Sequence, residues 1–256
     1  MSVNVVQYPV KFFSVPHLLI LGVLWSLAVI LSYFLSKKYG FTKRVVLFCM
    51  IAAIASEIQK ITFFMKDTGF GFRLPAEQLP FNLCTIQIFF ISTLALSENP
   101  KKRFALISFM FPALISGAFV GMVIPSATFN YHGLTDLATY RYFIYHAMLI
   151  FLGLYLYMSK PIQFTIKSYG YSLAIMFLIM IAGIWINAFF GWSPETNFCF
   201  LVRPPTEGLP VLNMNNGWLR YAFGQIWICI VFFFLCYIPV VIRDFPELAK
   251  SITGKR

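Results

Sequence analysis

Charge is scarce in this 256-residue chain: Asp and Glu number nine, histidine three, and charged residues together make up 11%. A soluble domain carries about 25% charged residues, so an aqueous globule is excluded. The five cysteines contain no C-x-x-C pair, which removes a zinc ribbon and a full disulfide framework. No internal repeat is visible, and this argues against an inverted-repeat transporter. The N-terminus lacks the basic n-region and short h-region of a signal peptide, so the first apolar run is expected to be retained.

Apolar residues are what the chain has in quantity: 59% of it is hydrophobic and 30 residues are Phe, with a mean hydropathy of +0.77. A membrane helix needs about 20 apolar residues. Seven runs qualify, over 15–35, 45–65, 79–96, 104–124, 142–158, 171–192 and 218–242. The expected fold is all-α, a seven-transmembrane-helix bundle forming a single transmembrane domain over 1–256.

The net charge of +11 is read by position, because basic residues near a membrane report orientation. One set of connections holds Lys37, Lys38, Lys43, Arg44, Lys101, Lys102, Arg103, Lys160 and Lys167, and the C-terminal tail adds Arg243, Lys250, Lys255 and Arg256. The other side has only Lys11, Lys66, Arg73, Arg141 and Arg203. This bias predicts an external N-terminus and a cytoplasmic C-terminus in a multi-pass cell-membrane protein. The basic residues are dispersed among juxtamembrane loops, so nucleic acid is not an expected partner.

The polar residues inside the runs share a depth. Glu57, Lys60, Asn82, Cys84, Gln87, His146, Asn187 and Gln225 all fall in the expected external halves, with His17 at the external mouth. Ionisable and amide groups within a bilayer usually face the bundle interior or a wet cavity. Their shared depth predicts one cavity open to the external leaflet. Each residue also has a plain reading. Glu57 and Lys60 are at i, i+3 and can pair, the amides can link helices, and Gly117-x-x-x-Gly121 fits close helix packing. His17 reads as an interfacial anchor, and Cys49, Cys229 and Cys236 as small core residues.

Cys84 follows Leu79-Pro80-Phe81-Asn82-Leu83. Proline suits the first turn of a helix, which puts Cys84 near the N-terminal, positive end of the third helix, where a thiol is activated. His146 enters from the same side at nearly the same depth, and a Cys–His pair is the minimal nucleophile–base unit for acyl transfer.

Three segments resemble the YwaF-like integral membrane proteins of bacteria, which are related to animal transmembrane protein 164, an acyltransferase acting on ether phospholipids. They are Leu79–Cys84, the aromatic run Tyr140-Arg141-Tyr142-Phe143-Ile144-Tyr145-His146, and Asn197-Phe198-Cys199-Phe200-Leu201-Val202-Arg203-Pro204. The opening Phe13-Ser14-Val15-Pro16-His17 is also similar. The resemblance implies that Cys84 is the nucleophile and His146 the base in transfer or hydrolysis of a lipid acyl group. Bacterial relatives often carry a histidine two residues before the cysteine, where this chain has Asn82. An amide there can donate a hydrogen bond to an oxyanion.

The expected chemistry begins with a lipid ester entering laterally from the outer leaflet, its chain among the Phe-rich helices. Arg141 and Arg203 are expected to hold an anionic headgroup, with Glu57, Lys60, Gln87 and Asn197 as further substrate-binding residues. Membrane lipids are the expected partners, no metal or cofactor is required, and the oligomeric state is left open. Two rival readings remain: a small-solute transporter or ligand-binding protein lined by Glu57, Lys60 and the amides, and a zinc hydrolase using His17, His132 and His146.

Overall fold

A computed structural model describes residues 13–67, 72–124, 136–193, 196–204, 212–215 and 217–253. Seven α-helices account for most of it: α1 (Val15–Tyr39), α2 (Lys43–Phe64), α3 (Gln87–Leu96), α4 (Pro100–Val123), α5 (Leu137–Ser159), α6 (Ile166–Phe189) and α7 (Trp218–Thr253). The described strands are β1 (Lys66–Asp67) and β2 (Phe72–Arg73), an antiparallel pair between α2 and α3. Six helices are long and apolar enough to cross a membrane, the last over Trp218–Asp244. Apart from that short strand pair the regular elements among the described residues are helical, and the chain is a multi-pass membrane protein.

The helix limits follow local capping chemistry more closely than hydropathy. Asn99 accepts the Lys101 and Lys102 backbone N–H groups and starts α4 at Pro100, and Asp136 caps the Ala138 N–H of α5. Thr165 and Ser168 form a reciprocal capping box on α6. Such caps satisfy donors that have no partner inside the helix. At the other end of α1, Gly40 takes a positive φ of 59°, which glycine adopts without the penalty a Cβ incurs.

The expected third span departs most from expectation. Residues 79–96 do not form one helix; α3 begins at Gln87 and has ten residues, about 15 Å at 1.5 Å per residue. That is half of a hydrocarbon core about 30 Å thick. The preceding segment is a tight turn at Phe81, whose N–H meets the Leu79 carbonyl, followed by turns closed by Ile86 N–H to Asn82 O and Ile88 N–H to Thr85 O. Non-helical backbone at such depth is tolerated only where protein or a wet cavity surrounds it.

The most deeply buried helices are α4 and α5. At Gly153 a Cβ would come within 2.7 Å of the Ile115 side chain, so glycine is what lets α5 approach α4. Pro112 lies inside α4 and has no N–H for the Ser108 carbonyl four residues back. The Tyr237 hydroxyl of α7 donates to that carbonyl at 3.0 Å, so a kink-prone site is also a helix–helix tie. Ser32 of α1 donates to Phe151 O of α5 at 2.9 Å.

The bundle has two chemically different ends. At one, the Tyr155 hydroxyl donates to Gly40 O at 2.7 Å and accepts from the Thr42 N–H at 2.8 Å, fixing the α1–α2 turn. Lys43 pairs with Glu98 there, Arg103 lies over the Phe41 ring, and Arg243 donates to Phe164 O. The other end gathers the start of α1, the end of α4, the start of α5, the end of α6 and the start of α7. His17 exemplifies the joint: its Nε2 donates to Met122 O at 2.8 Å.

Candidate active site

Two segments without α-helix meet at the end of the bundle away from the basic turns, the second carrying a single 3-10 turn over Phe198–Phe200. One is 79–86, ahead of α3; the other is 196–204, between α6 and α7. Phe81 and Phe198 stack edge to face with centroids 5.4 Å apart. The Cys199 N–H donates to Asn82 Oδ1 at 3.1 Å, and the Cys199 thiol donates to Phe81 O at 3.2 Å.

The second segment is held by side chains from every element around it. Asn187 of α6 donates to Phe198 O at 3.0 Å and accepts the Phe198 N–H at 3.0 Å. From α7, Gln225 donates to Cys199 O at 3.0 Å, Tyr221 to Phe200 O, and Trp218 to Leu201 O at 2.7 Å. Three successive carbonyls are thus met by one helix face. Asn197 accepts the Val202 and Arg203 N–H groups and donates to Arg203 O. Irregular backbone buried in a membrane protein needs such satisfaction. Cys199 and Phe200 take φ values of 53° and 54°, conformations costly for non-glycine residues and common at functional sites. Gly183 of α6 makes room for this: a Cβ there would lie 2.7 Å from Leu201 Cδ1.

Cys84 and His146 border the same strip of α4. A Cβ on Gly117 would lie 3.9 Å from the Cys84 Sγ, and one on Gly121 would lie 3.0 Å from His146 Nε2. Residues four apart on a helix are vertical neighbours, about 5–6 Å apart. The glycine pair read as a helix-packing motif is therefore the floor against which both side chains rest. The His146 Nδ1 lies 2.8 Å from the Tyr142 carbonyl. A carbonyl only accepts, so Nδ1 carries the proton and Nε2 presents its lone pair toward Gly121. Tyr142 in turn donates to Gly121 O at 2.6 Å.

A further bond joins the Cys84 segment to α5. The Tyr145 hydroxyl donates to the Cys84 carbonyl at 2.9 Å, and its ring meets His146 edge-on at 5.6 Å. Among the described residues Cys84 Sγ makes no hydrogen bond to His146. Catalytic hydrogen bonds often tighten only when substrate binds. Tyr142, Tyr145, Gly117 and Gly121 were not picked out by sequence reasoning as site residues. The i, i+4 spacing of Tyr142 with His146 and of Gly117 with Gly121 is the signal that was available; Tyr145 had none.

Other expected site residues fall nearby, with altered roles. Cys84 stands three residues ahead of α3 rather than within its first turn, so the helix-terminus activation expected from Pro80 does not apply. Asn82 has its Oδ1 engaged with Cys199, which leaves its Nδ2 as the available donor. Gln87 is 1% exposed and donates to Leu83 O at 3.2 Å. Arg141, expected in a loop, lies within the second turn of α5 and donates to Ser56 of α2 at 3.4 Å. Glu57 and Lys60 form an ion pair at 2.6 Å, both nearly buried. A cleft of about 190 Å³ runs between α2 and α5, lined by Gln59, Thr62, Phe63, Leu137, Ala138 and Arg141. Asn197 is committed to its own loop, and Arg203 is exposed.

Of the three histidines in the zinc reading, His132 lies outside the described residues. His17 has both ring nitrogens in use, Nδ1 accepting the Phe13 N–H at 3.1 Å and Nε2 donating to Met122 O. It is a helix-linking residue, completely buried.

With this geometry in view, comparison with known families matches residues 12–237 to the TMEM164 family. The chain belongs to that family. No curated protein and no solved structure matches it.

Proposed function

We propose that the protein is a lipid acyltransferase or acyl-ester hydrolase of the YwaF-like branch of its family, with Cys84 as nucleophile and His146 as general base. The observation that carries this reading is the shared Gly117–Gly121 strip, with the thiol over one glycine and the basic Nε2 over the next. The reaction starts as Nε2 takes the proton from Cys84 and the thiolate attacks the ester carbonyl. The C–O bond of the ester breaks, the leaving alkoxide takes the proton back from His146, and an acyl-thioester remains on Cys84. Asn82 Nδ2 donates to the oxyanion that forms between these steps.

The ester belongs to a membrane lipid that enters from the external leaflet of a bacterial plasma membrane. The basic turns, at the opposite end of the bundle from the site, support this orientation through the positive-inside bias, with the N-terminus external and the C-terminus cytoplasmic. Arg141 holds the anionic headgroup in a bidentate grip at the α2–α5 cleft it lines, with the Glu57–Lys60 pair on the same α2 helix as the facing wall. The exposed Arg203 provides a second basic contact at the surface, on a loop shaped by Asn197.

The test is turnover of phospholipid in proteoliposomes by the parent protein, Cys84→Ser and His146→Ala. Loss of acyl release in both variants with normal folding supports the reading. A transporter or ligand-binding role is favoured instead if Cys84→Ala retains solute uptake and the parent releases no acyl product.

A further inference from the structure

We propose that Gln87 holds the water that hydrolyses the Cys84 acyl-thioester, so that water rather than an alcohol is the preferred acyl acceptor. This rests on Cys84 being the nucleophile and deepens that reading by naming the second substrate.

Gln87 is the first residue of α3 and is 1% exposed. Its Nε2 donates to the Leu83 carbonyl at 3.2 Å. Because a carbonyl only accepts, this bond fixes which end of the amide is which. It also lays the amide against the peptide group that joins Leu83 to Cys84. The other end, Oε1, is buried and has no hydrogen-bond partner among the described residues. A buried acceptor of this kind calls for a donor. Leu83 and Cys84, just ahead of Gln87, both lie against Gly117 of α4, and the bond to the Leu83 carbonyl keeps the amide beside that segment.

The number of protons on the acceptor decides between candidates. Water has two: one donates to Gln87 Oε1 and the other to His146 Nε2, which leaves an oxygen lone pair free to attack. An alcohol has a single O–H, which His146 must remove, and Gln87 would stay unmet. In the hydrolytic step the water oxygen bonds to the thioester carbonyl carbon and its proton passes to Nε2. The C–S bond breaks, the Cys84 thiolate recovers that proton from His146, and a fatty acid departs. An amide is too weak a base to take the proton, so Gln87 orients the water and does no more.

The experiment uses the full chain in vesicles of diacyl phosphatidylcholine containing lysophosphatidylcholine as the competing alcohol, in water enriched in heavy oxygen. Labelled fatty acid reports hydrolysis, and remodelled diacyl lipid reports transfer. The parent is expected to yield mainly labelled fatty acid. Gln87→Met should lower that release about tenfold, as for loss of one well-placed hydrogen bond in the transition state, while transfer changes less than about twofold. Gln87→Asn, one methylene shorter, should shift the partition in the same direction and carries the test if the methionine variant does not fold. Predominant transfer in the parent, or a proportional fall of both products in the variants, overturns the inference. Undiminished acyl release by Cys84→Ala overturns the nucleophile assignment beneath it, a distinguishable failure.

Discussion

Replacing Gly121 by alanine tests the proposed floor of the site with a single methyl group. The added Cβ would sit 3.0 Å from His146 Nε2, 3.1 Å from its Cδ2 and 3.2 Å from the Tyr142 hydroxyl oxygen. Comfortable contacts between such atoms need about 3.5–4.0 Å, so the imidazole must move by roughly half an ångström. It cannot tilt freely, because Nδ1 is tied to Tyr142 O at 2.8 Å. A 1 Å misplacement of a reacting group costs about a hundredfold, so half of that predicts about a tenfold loss of acyl release. Stability should change little by comparison. Overpacking costs about 1–3 kcal/mol, and a helix-interior Gly→Ala returns about 1 kcal/mol, for a net loss of roughly 0–2 kcal/mol. Gly117→Ala is the control: its Cβ would meet Leu83 Cδ2 at an ordinary 3.5 Å and Cys84 Sγ at 3.9 Å. That variant should keep its rate and gain a few tenths of a kcal/mol or more. Acyl release in proteoliposomes and thermal unfolding in detergent read the two quantities. Equal loss of rate in both variants, or an unchanged rate in Gly121→Ala, would refute the assignment of Gly121 as the rest for the base.

Tyr145→Phe deletes the donor to the Cys84 carbonyl and should lower kcat roughly threefold to tenfold with KM unchanged; a KM effect alone in steady-state assays would contradict the bridging role. Asn187→Leu leaves the Phe198 N–H buried without a partner and its carbonyl with the Leu201 N–H alone, a loss of about 1–3 kcal/mol, so the unfolding temperature should drop and an unchanged value would mean the loop is held otherwise. Lys60→Met strands Glu57 beside α5 and should cost about 3–5 kcal/mol. The double variant Glu57→Gln/Lys60→Met should unfold closer to the parent, and a larger loss than in the single variant would count against a coupled pair. Gly183→Ala forces a methyl group into Leu201 and should disturb activity through the 196–204 loop, an effect that limited proteolysis of that loop in the parent and variant would reveal.

Hydropathy alone located six of the helices, because each span is a long apolar run between polar connections. It misplaced their ends where capping governs: Asp136 starts α5 five residues before the expected limit, and Asn99 does the same for α4 by four. Those capping residues were visible in the sequence. The third run failed for a different reason. Residues 79–86 are as apolar as a helix would require, yet Asn82 and the Phe81 carbonyl are claimed by Cys199, more than a hundred positions away. No local pattern encodes that clamp. Common depth pointed to Cys84, His146, Glu57 and Lys60 because polar groups in an apolar run are conspicuous. Gly117 and Gly121 were read as a packing motif, and Tyr142 and Tyr145 only as part of an aromatic run, since a small or aromatic side chain looks the same in lipid-facing and site-facing positions until the neighbouring helix is known. Arg141 was read as a loop residue only because the α5 start was set too late.

The most direct test is mass spectrometry of the purified protein after brief exposure to phospholipid vesicles and an acid quench. The account predicts one acyl group on the peptide containing Cys84, released by neutral hydroxylamine as a thioester must be, much reduced in His146→Ala because the thiol keeps its proton, and absent in Cys84→Ser. Steady lipid turnover with Cys84 unmodified, or an adduct on Cys199 alone, would contradict it.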